Sequence, residues 1–248
     1  MTRAPSSVSY LDTLEKYGLT QQGVRNGFNA VNYTAQIVQI VVPLKTHQIS
    51  VAQKVAKGFS FVADGTFVID FFVSLKLTTQ FSYDFTSTLV KRKWETISLK
   101  ARNFIYVGLG LVADAVESVK FLNGVLGVAS ATRLTLFGSG AGVIRGIMDI
   151  KTYLFLKSPD AFKVKNLARR ALLIEKAYLI KLRIVQTIVF LAADSLTLVA
   201  ALYATVNVGG LILATLSIGV VLNVRTYFAQ QSIEAKERLL SAKKKTHA

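Results

Sequence analysis

Cysteine is missing from this chain, and histidine and proline are scarce. The 248 residues contain no cysteine, two histidines and three prolines. Disulfides, thiolate catalysis, cysteine-ligated zinc and iron–sulfur clusters are therefore excluded, and His47 and His247 are too few for a histidine metal site. Phosphate-binding glycine loops, Ser/His/Asp sets and paired carboxylates in an evident pocket are missing too. We expect no cofactor, no metal centre and no enzymatic activity.

Acidic residues are few compared with basic ones. Thirty lysines and arginines against fourteen aspartates and glutamates give a formal net charge of +16, while 52% of the residues are hydrophobic. In a soluble protein this charge would suggest nucleic acid, but here the basic residues fall mainly between apolar segments. That distribution is typical of a membrane protein whose partners are lipids with anionic head groups, not nucleic acid.

Three apolar segments are long enough to cross a bilayer. Residues 184–224 carry one charge, Asp194, and are predicted to form two spans. Residues 104–150 carry several charges and are assigned two spans by analogy. Residues 55–77 are interrupted by two aspartates, which makes insertion costly and leaves it open whether they span. We therefore predict an all-α integral membrane protein with two membrane hairpins and further helices before them.

An amphipathic helix is predicted between Val24 and Val42. Apolar residues recur there at three- and four-residue spacing, while asparagine, glutamine and arginine occupy the opposite face. Pro43 should end the helix. The apolar face consists of Val24, Phe28, Val31, Ala35, Val38 and Val42. The pattern fits a helix that inserts this face into the bilayer interface, and equally a helix packed against its own neighbours.

Basic residues beside the apolar segments predict which parts face the cytosol. The residues expected at lipid head groups are Lys91, Arg92, Lys93, Trp94, Arg169 and Arg170. The linker at 151–183 holds nine basic and two acidic residues, and three lysines stand at 243–245. By the positive-inside tendency, the linker and both termini are predicted to be cytosolic, which requires an even number of spans.

These features divide the chain into six consecutive segments. The segments are 1–21, polar; 22–103, amphipathic and apolar helices with a basic region; 104–150, first membrane hairpin; 151–183, basic linker; 184–228, second membrane hairpin; and 229–248, basic tail. The two hairpins resemble each other when the sequence is shifted by 80 positions. Asp114 then falls on Asp194 and Arg145 on Arg225. Such coincidences are informative because charges are rare in membrane segments.

Each hairpin places one aspartate and one arginine at equal distances from its expected turn. Asp194 and Arg225 are equidistant from Gly209–Gly210, and Asp114 and Arg145 are placed likewise in the first hairpin. Fifteen residues of helix put both groups roughly 23 Å from the tip. We predict that each Asp pairs with its Arg across the hairpin. The alternative is that the arginines reach lipid phosphates while the aspartates bind backbone or solvent.

A run of glycines predicts close helix packing in the first hairpin. Gly138, Gly142 and Gly146 form two overlapping GxxxG steps, which let helix backbones approach closely in lipid. Their counterparts 80 residues later are larger, so this face belongs to the first hairpin alone. It fits internal packing of the two hairpins or a homo-oligomer interface.

The order of these parts resembles the peroxin-eleven family of basic peroxisomal membrane proteins. Gly23-Val24-Arg25 followed by Asn32-Tyr33 is similar to the start of the family's N-terminal helix, and Ala192-Ala193-Asp194 followed by Gly209-Gly210 is similar to its final segment. The resemblance implies a non-enzymatic membrane-shaping or scaffold protein of an organelle membrane, here the peroxisome. Its amphipathic helix would insert into one leaflet, its hairpins would form homo-oligomers, and its basic cytosolic surfaces would recruit fission or scaffold proteins.

The same residues leave open a function of another class, a small transporter or channel. Carboxylates inside apolar segments are typical of ion and proton paths, and internal repeats occur in transporters. The carboxylates concerned are Asp64, Asp70, Asp114, Glu117 and Asp194. The expected position of the charges near the helix bases favours membrane shaping over transport.

Overall fold

The structure is a computed structural model and describes residues 16–92, 94–126, 132–155, 166–203 and 207–245. Almost all of these residues are helical, and none of those described forms a strand. The predicted all-α class is therefore confirmed. Residues 16–18 are helical, and the six longer helices of the described residues are, in chain order, α1 (Gln21–Val41), α2 (Thr46–Val90), α3 (Trp94–Val125), α4 (Thr132–Phe155), α5 (Leu167–Leu202) and α6 (Gly209–Lys245).

Local sequence signals set the ends of α1. The hydroxyl of Thr20 accepts a hydrogen bond from the backbone N–H of Gly23 at 2.9 Å, which satisfies one of the free amides of the first turn. The helix ends at Val41, two residues before Pro43, whose ring prevents its continuation. A helix thus occupies the segment that the periodicity indicated.

Each helix packs against the next one along the chain, and α1 also contacts α6. The six helices therefore form a closed ring in which neighbours run in opposite directions. Between α5 and α6, for example, Gln186 contacts Asn223 while Glu175 contacts Lys236. The ring closes just before α1, where the aromatic ring of Tyr17 lies 4.8 Å from that of Tyr227 on α6.

This up-and-down order gathers the predicted head-group residues at one end of the bundle, which we call the basic end. The ends of α2, α4 and α6 and the starts of α3 and α5 meet there. Its members among the predicted residues are Lys91, Arg92, Trp94, Arg169 and Arg170. Lys93 lies outside the described residues. Trp94 is 65% exposed, as expected of an aromatic side chain available to a head-group region.

The helices of the second hairpin extend beyond the predicted boundaries. α5 begins at Leu167, inside the predicted linker, and α6 continues to Lys245, through most of the predicted tail. Ion pairs join the two extensions: Lys176 lies 2.5 Å from Glu237, and Lys236 pairs with Glu175. The basic regions at 167–183 and 229–245 are therefore parts of one helix pair rather than separate segments.

Among the described residues, three helices are long and apolar enough to cross a membrane: α2, α5 and α6. α5 and α6 form the second predicted hairpin, and α2 contains residues 55–77, for which spanning was open. The first predicted hairpin, α3 and α4, is not among the three. The charges of these two helices are spaced too closely along the sequence to leave an apolar stretch long enough to cross a membrane.

The outer surface of α3 and α4 is nevertheless apolar. Val112 and Val119 of α3 and Phe137, Ile144 and Ile147 of α4 are all exposed on the outside. No large side chain among the described residues is fully buried. Large apolar groups are thus abundant on the outside, while buried residues include polar ones such as Asn26, Asn32 and Asn223 beside apolar ones. This distribution differs from that of a soluble protein and suits an exterior in contact with lipid.

Candidate functional site

A polar cavity of about 800 Å³ lies inside the ring and is lined by side chains from all six helices. Its volume falls in the range of about 300–1,000 Å³ that is usual for pockets that bind small molecules. Its acidic lining residues are Asp64, Asp114, Glu117, Asp149 and Asp194. Its basic lining residues are Lys120, Arg145 and Arg183. The cavity thus collects most of the charges that interrupt the apolar segments.

Glycine lets α4 approach both of its neighbours at the cavity wall. A β-carbon added at Gly142 would lie 2.8 Å from Cγ of Asp194 on α5. One added at Gly146 would lie 3.3 Å from Cδ1 of Leu191, and one at Gly138 would lie 2.8 Å from Cγ1 of Val116 on α3. The glycine face therefore packs within this chain, against α3 and α5.

Hydroxyl groups and one lysine hold several of the cavity carboxylates. Asp114 accepts a hydrogen bond from Ser74 of α2, and Asp64 accepts one from Ser60 at 3.0 Å. Glu117 forms an ion pair with Lys120 at 2.6 Å, one turn along the same helix. These contacts fix the carboxylates by hydrogen bonds from α2 and α3 rather than by the arginines of α4 and α6.

Arg145 binds an aromatic ring instead of the predicted aspartate. Its Cζ lies 4.7 Å from the ring centroid of Tyr106 on α3, a cation–π distance. The hydroxyl of Tyr106 in turn donates a hydrogen bond to Asp149 at 3.1 Å. Gly110 makes room for the guanidinium, since a β-carbon there would lie 3.1 Å from Nη1 of Arg145.

Neither predicted aspartate–arginine ion pair is present among the described residues, and the register of the helices explains why. α6 already begins at Gly209, so Gly209–Gly210 is not the midpoint of the turn. Gln186 contacts both Asn223 and Thr226, which places Leu216 roughly opposite Asp194. Arg225 is therefore displaced along α6 by about nine residues, or about 13 Å. Its side chain is exposed, as the alternative of an arginine reaching towards lipid phosphates expects.

The register of the first hairpin separates its pair as well. Tyr106 faces Asp149, and Gly138 faces Val116, so Asp114 lies opposite a position about one helical turn before Arg145. Asp114 and Arg145 still line the same cavity, together with Asp194. The sequence thus identified charged residues that meet in space, but assigned them the wrong partners.

The polar face of α1 points towards the inside of the ring. Asn26 and Asn32 are buried, and Asn29 and Tyr33 line the cavity. Of the predicted apolar face, Val24, Val31 and Val42 are exposed on the outside, and Phe28, Ala35 and Val38 are half-buried. The ring of Phe28 lies 5.6 Å from that of Phe59 on α2. Ile37, Ile40 and Val41 complete the exposed apolar surface of this helix.

Arg25 joins α1 to α2. Its guanidinium forms an ion pair with Asp70, donates to the hydroxyl of Thr66 at 2.6 Å and lies 4.1 Å from the ring centroid of Phe67. Gln21 adds a hydrogen bond to the carbonyl of Thr66 at 3.0 Å. Asp70, one of the two aspartates that interrupt residues 55–77, is thereby neutralised by α1.

One polar stripe on α4 could have been found from the sequence. Cavity-lining residues of this helix recur at three- or four-residue spacing, which marks one helical face. The stripe includes Gly138, Gly142, Arg145, Gly146, Asp149 and Tyr153. The glycines and Arg145 of this stripe are predicted from the sequence, but Asp149 is not, because the spacing that joins the glycines to the charges becomes evident only when both are placed on one helical face.

Comparison of the chain with protein-family models, curated proteins and solved structures gives no match. The resemblance to the peroxin-eleven family therefore stays a prediction from the motifs quoted above. Among the described residues, no three histidine, aspartate or glutamate side chains are grouped so as to hold a metal ion. The geometry of the cavity consequently carries the functional argument.

Proposed function

We propose that this chain is a membrane protein whose helix ring transports or conducts small polar solutes through its central cavity. The observation that carries the proposal is a charged cavity, lined by all six helices, inside an apolar outer surface. Ionisable side chains are costly within a bilayer and are kept there mainly where they line solute or ion paths. A protein that only bends a membrane has no need of such an interior.

The lengths of the helices suit this function. α1, with 21 residues, is the shortest of the six, and at about 1.5 Å per residue it is about 31 Å long. The hydrocarbon core of a bilayer is about 30 Å thick. Each helix of the ring is therefore long enough to cross the core. α1 packs along the first half of α2, at Phe59 and Thr66, whereas α3 packs along α2 from Phe61 to Asp84.

Flux through reconstituted vesicles tests the proposal. The purified full chain should release small trapped salts and polar solutes faster than vesicles without protein. Gly142→Leu places a bulky side chain at the cavity wall and should abolish this flux, as should Leu216→Trp on α6. Gly140→Leu is the matched control, because a β-carbon at Gly140 meets nothing within 4 Å. Absence of flux for every solute, from protein with intact helical content, would refute the proposal.

A second candidate function is membrane shaping, which the exposed apolar face of α1 favours. Val24, Val31, Ile37 and Ile40 face outward and are available to the acyl chains of one leaflet. Insertion of α1 as a wedge requires it to leave the ring, since its polar face is engaged by α2. Homo-oligomers, fission or scaffold partners and a peroxisomal location belong to this candidate.

A peptide of residues 22–43 added to vesicles tests this second candidate. Tubulation visible by electron microscopy supports a wedge, and a peptide with Ile37→Ser and Ile40→Ser should then be inactive. Inert vesicles would count against it. The location of the tagged full chain in cells tests the predicted organelle.

A further inference from the structure

The charges around the cavity do not balance. Five carboxylates and three basic side chains line it, and the ion pair between Glu117 and Lys120 removes one of each. Four carboxylates then face two guanidinium groups, an excess of two negative charges in a chain whose net charge is +16. The net charge of the cavity lining is thus negative, whereas that of the rest of the molecule is positive.

The two remaining guanidinium groups are engaged elsewhere. Arg145 stacks on Tyr106, and Arg183 donates to Gln230 at 3.1 Å on the side of the basic end. Neither forms an ion pair with a cavity carboxylate among the described residues. No further ion pair therefore cancels this excess, although Arg145 and Arg102 act electrostatically on Asp149, and Arg25 and Lys120 act on Asp64.

Asp194 is the carboxylate with the fewest partners. Asp64, Asp114 and Asp149 each accept a hydrogen bond from a hydroxyl group. Asp194 lines the cavity without a hydrogen bond or ion pair from any described residue, and it occupies the space left by the missing side chain of Gly142. The charged groups that act on Asp194 are Glu117 and Lys120, which pair with each other. A carboxylate withdrawn from bulk water without an ion-pair partner of its own is unfavourable, so a positively charged ligand would stabilise it.

We infer that the solute of this cavity is a cation and that Asp194 is its principal counter-charge. The inference rests on the proposed function. The carboxylates do not converge on a single ion, since no three potential ligands are grouped among the described residues. The cavity volume of about 800 Å³ also exceeds the size of a bare ion. The cation therefore keeps its hydration shell or is an organic ammonium, for which the lining rings of Tyr33, Phe190 and Tyr227 offer cation–π contacts.

Reversal potentials of the full chain in planar bilayers test this inference. A gradient of potassium chloride measures the selectivity of potassium over chloride, and tetramethylammonium chloride replaces it to probe an organic cation. Potassium and tetramethylammonium should each be favoured over chloride. Asp194→Asn should lower this preference about tenfold, the ratio that corresponds to about 1.4 kcal/mol. Asp84→Asn is the control, because Asp84 pairs with Lys100 near the basic end and does not line the cavity.

The outcomes distinguish a failure of the cation preference from a failure of the transport function on which it rests. Cation preference that falls in Asp194→Asn but not in Asp84→Asn supports both. Passage of only one of the two cations decides between a hydrated metal ion and an organic ammonium. Equal or anion-favouring conductance, or unchanged selectivity in Asp194→Asn, overturns the inference and leaves the transport function standing. A folded protein that neither conducts in the planar bilayer nor releases solutes from vesicles overturns the transport function itself.

Discussion

The carboxyl group of Asp194 on α5 lies in the space that a side chain at position 142 of α4 would fill. This contact joins two features that the sequence presented separately, an isolated charge in an apolar segment and a run of small residues. It brings α4 and α5 together at the cavity wall.

Gly142→Ala should destabilise the folded protein. The added methyl group overlaps the carboxyl group of Asp194, and overpacking of this kind typically lowers the free energy of unfolding by about 1–3 kcal/mol. Thermal unfolding in detergent measures the change. Gly140→Ala is the control: it has open space and should be neutral or up to about 1 kcal/mol more stable, because alanine favours helix. Equal effects of the two substitutions would contradict the packing described here.

Arg25 and Asp70 should show strong energetic coupling. Their side chains are 19% and 27% exposed, and Arg25 also contacts Thr66 and Phe67, so its loss leaves Asp70 poorly compensated. A double-mutant cycle with Arg25→Gln and Asp70→Asn should give about 1–3 kcal/mol. The more exposed pair of Lys100 and Asp84 should give less than about 1 kcal/mol. Similar values for both cycles would mean that α1 is not anchored by Arg25.

Arg145 should be independent of Asp114. The predicted ion pair is not formed, so a cycle of Arg145→Gln and Asp114→Asn should give coupling below about 0.5 kcal/mol. Tyr106→Phe and Asp149→Asn remove a hydrogen bond of 3.1 Å and should couple by about 0.5–1.5 kcal/mol. Strong coupling in the first cycle would restore the pairing that the sequence suggested. Both are measured as changes in unfolding free energy in detergent.

Cysteines placed in the cavity should react faster with a water-soluble reagent than cysteines placed on the outer surface, although the outer positions are the more exposed ones in the structure. The chain contains no cysteine, so single substitutions need no prior removal of native thiols. Thr187→Cys and Leu216→Cys face the cavity, whereas Ile188→Cys and Ile218→Cys lie on the outer surface, where the native side chains are 49% and 52% exposed. A charged, water-soluble thiol reagent reacts with thiolate. In vesicles the cavity positions should react faster by about tenfold or more, because lipid suppresses ionisation of the outer thiols. Faster reaction at the outer positions would mean that the bundle is not embedded.

The sequence was sufficient for features that depend on short stretches of chain. The position of α1 follows from the spacing of its apolar residues and from Pro43, and the spans of α5 and α6 follow from a long segment with one charge. The lengths of α5 and α6 were underestimated. Basic residues at the start of one and the end of the other predict a boundary there, but ion pairs such as Lys176 with Glu237 continue the helix pair.

Only the tertiary structure decided which charges meet. The partner of a helical residue depends on the axial register of two helices, and a shift of a few residues moves a side chain by more than the length of an ion pair. Arg225 is displaced from Asp194 for this reason. The structure also places five charges of α3 and α4 at the cavity: Asp114, Glu117, Lys120, Arg145 and Asp149. Hydropathy along a sequence does not detect this, because it averages all faces of a helix. Composition thus determined a helical protein with membrane-crossing segments, and the closure of six helices into a ring created its polar interior.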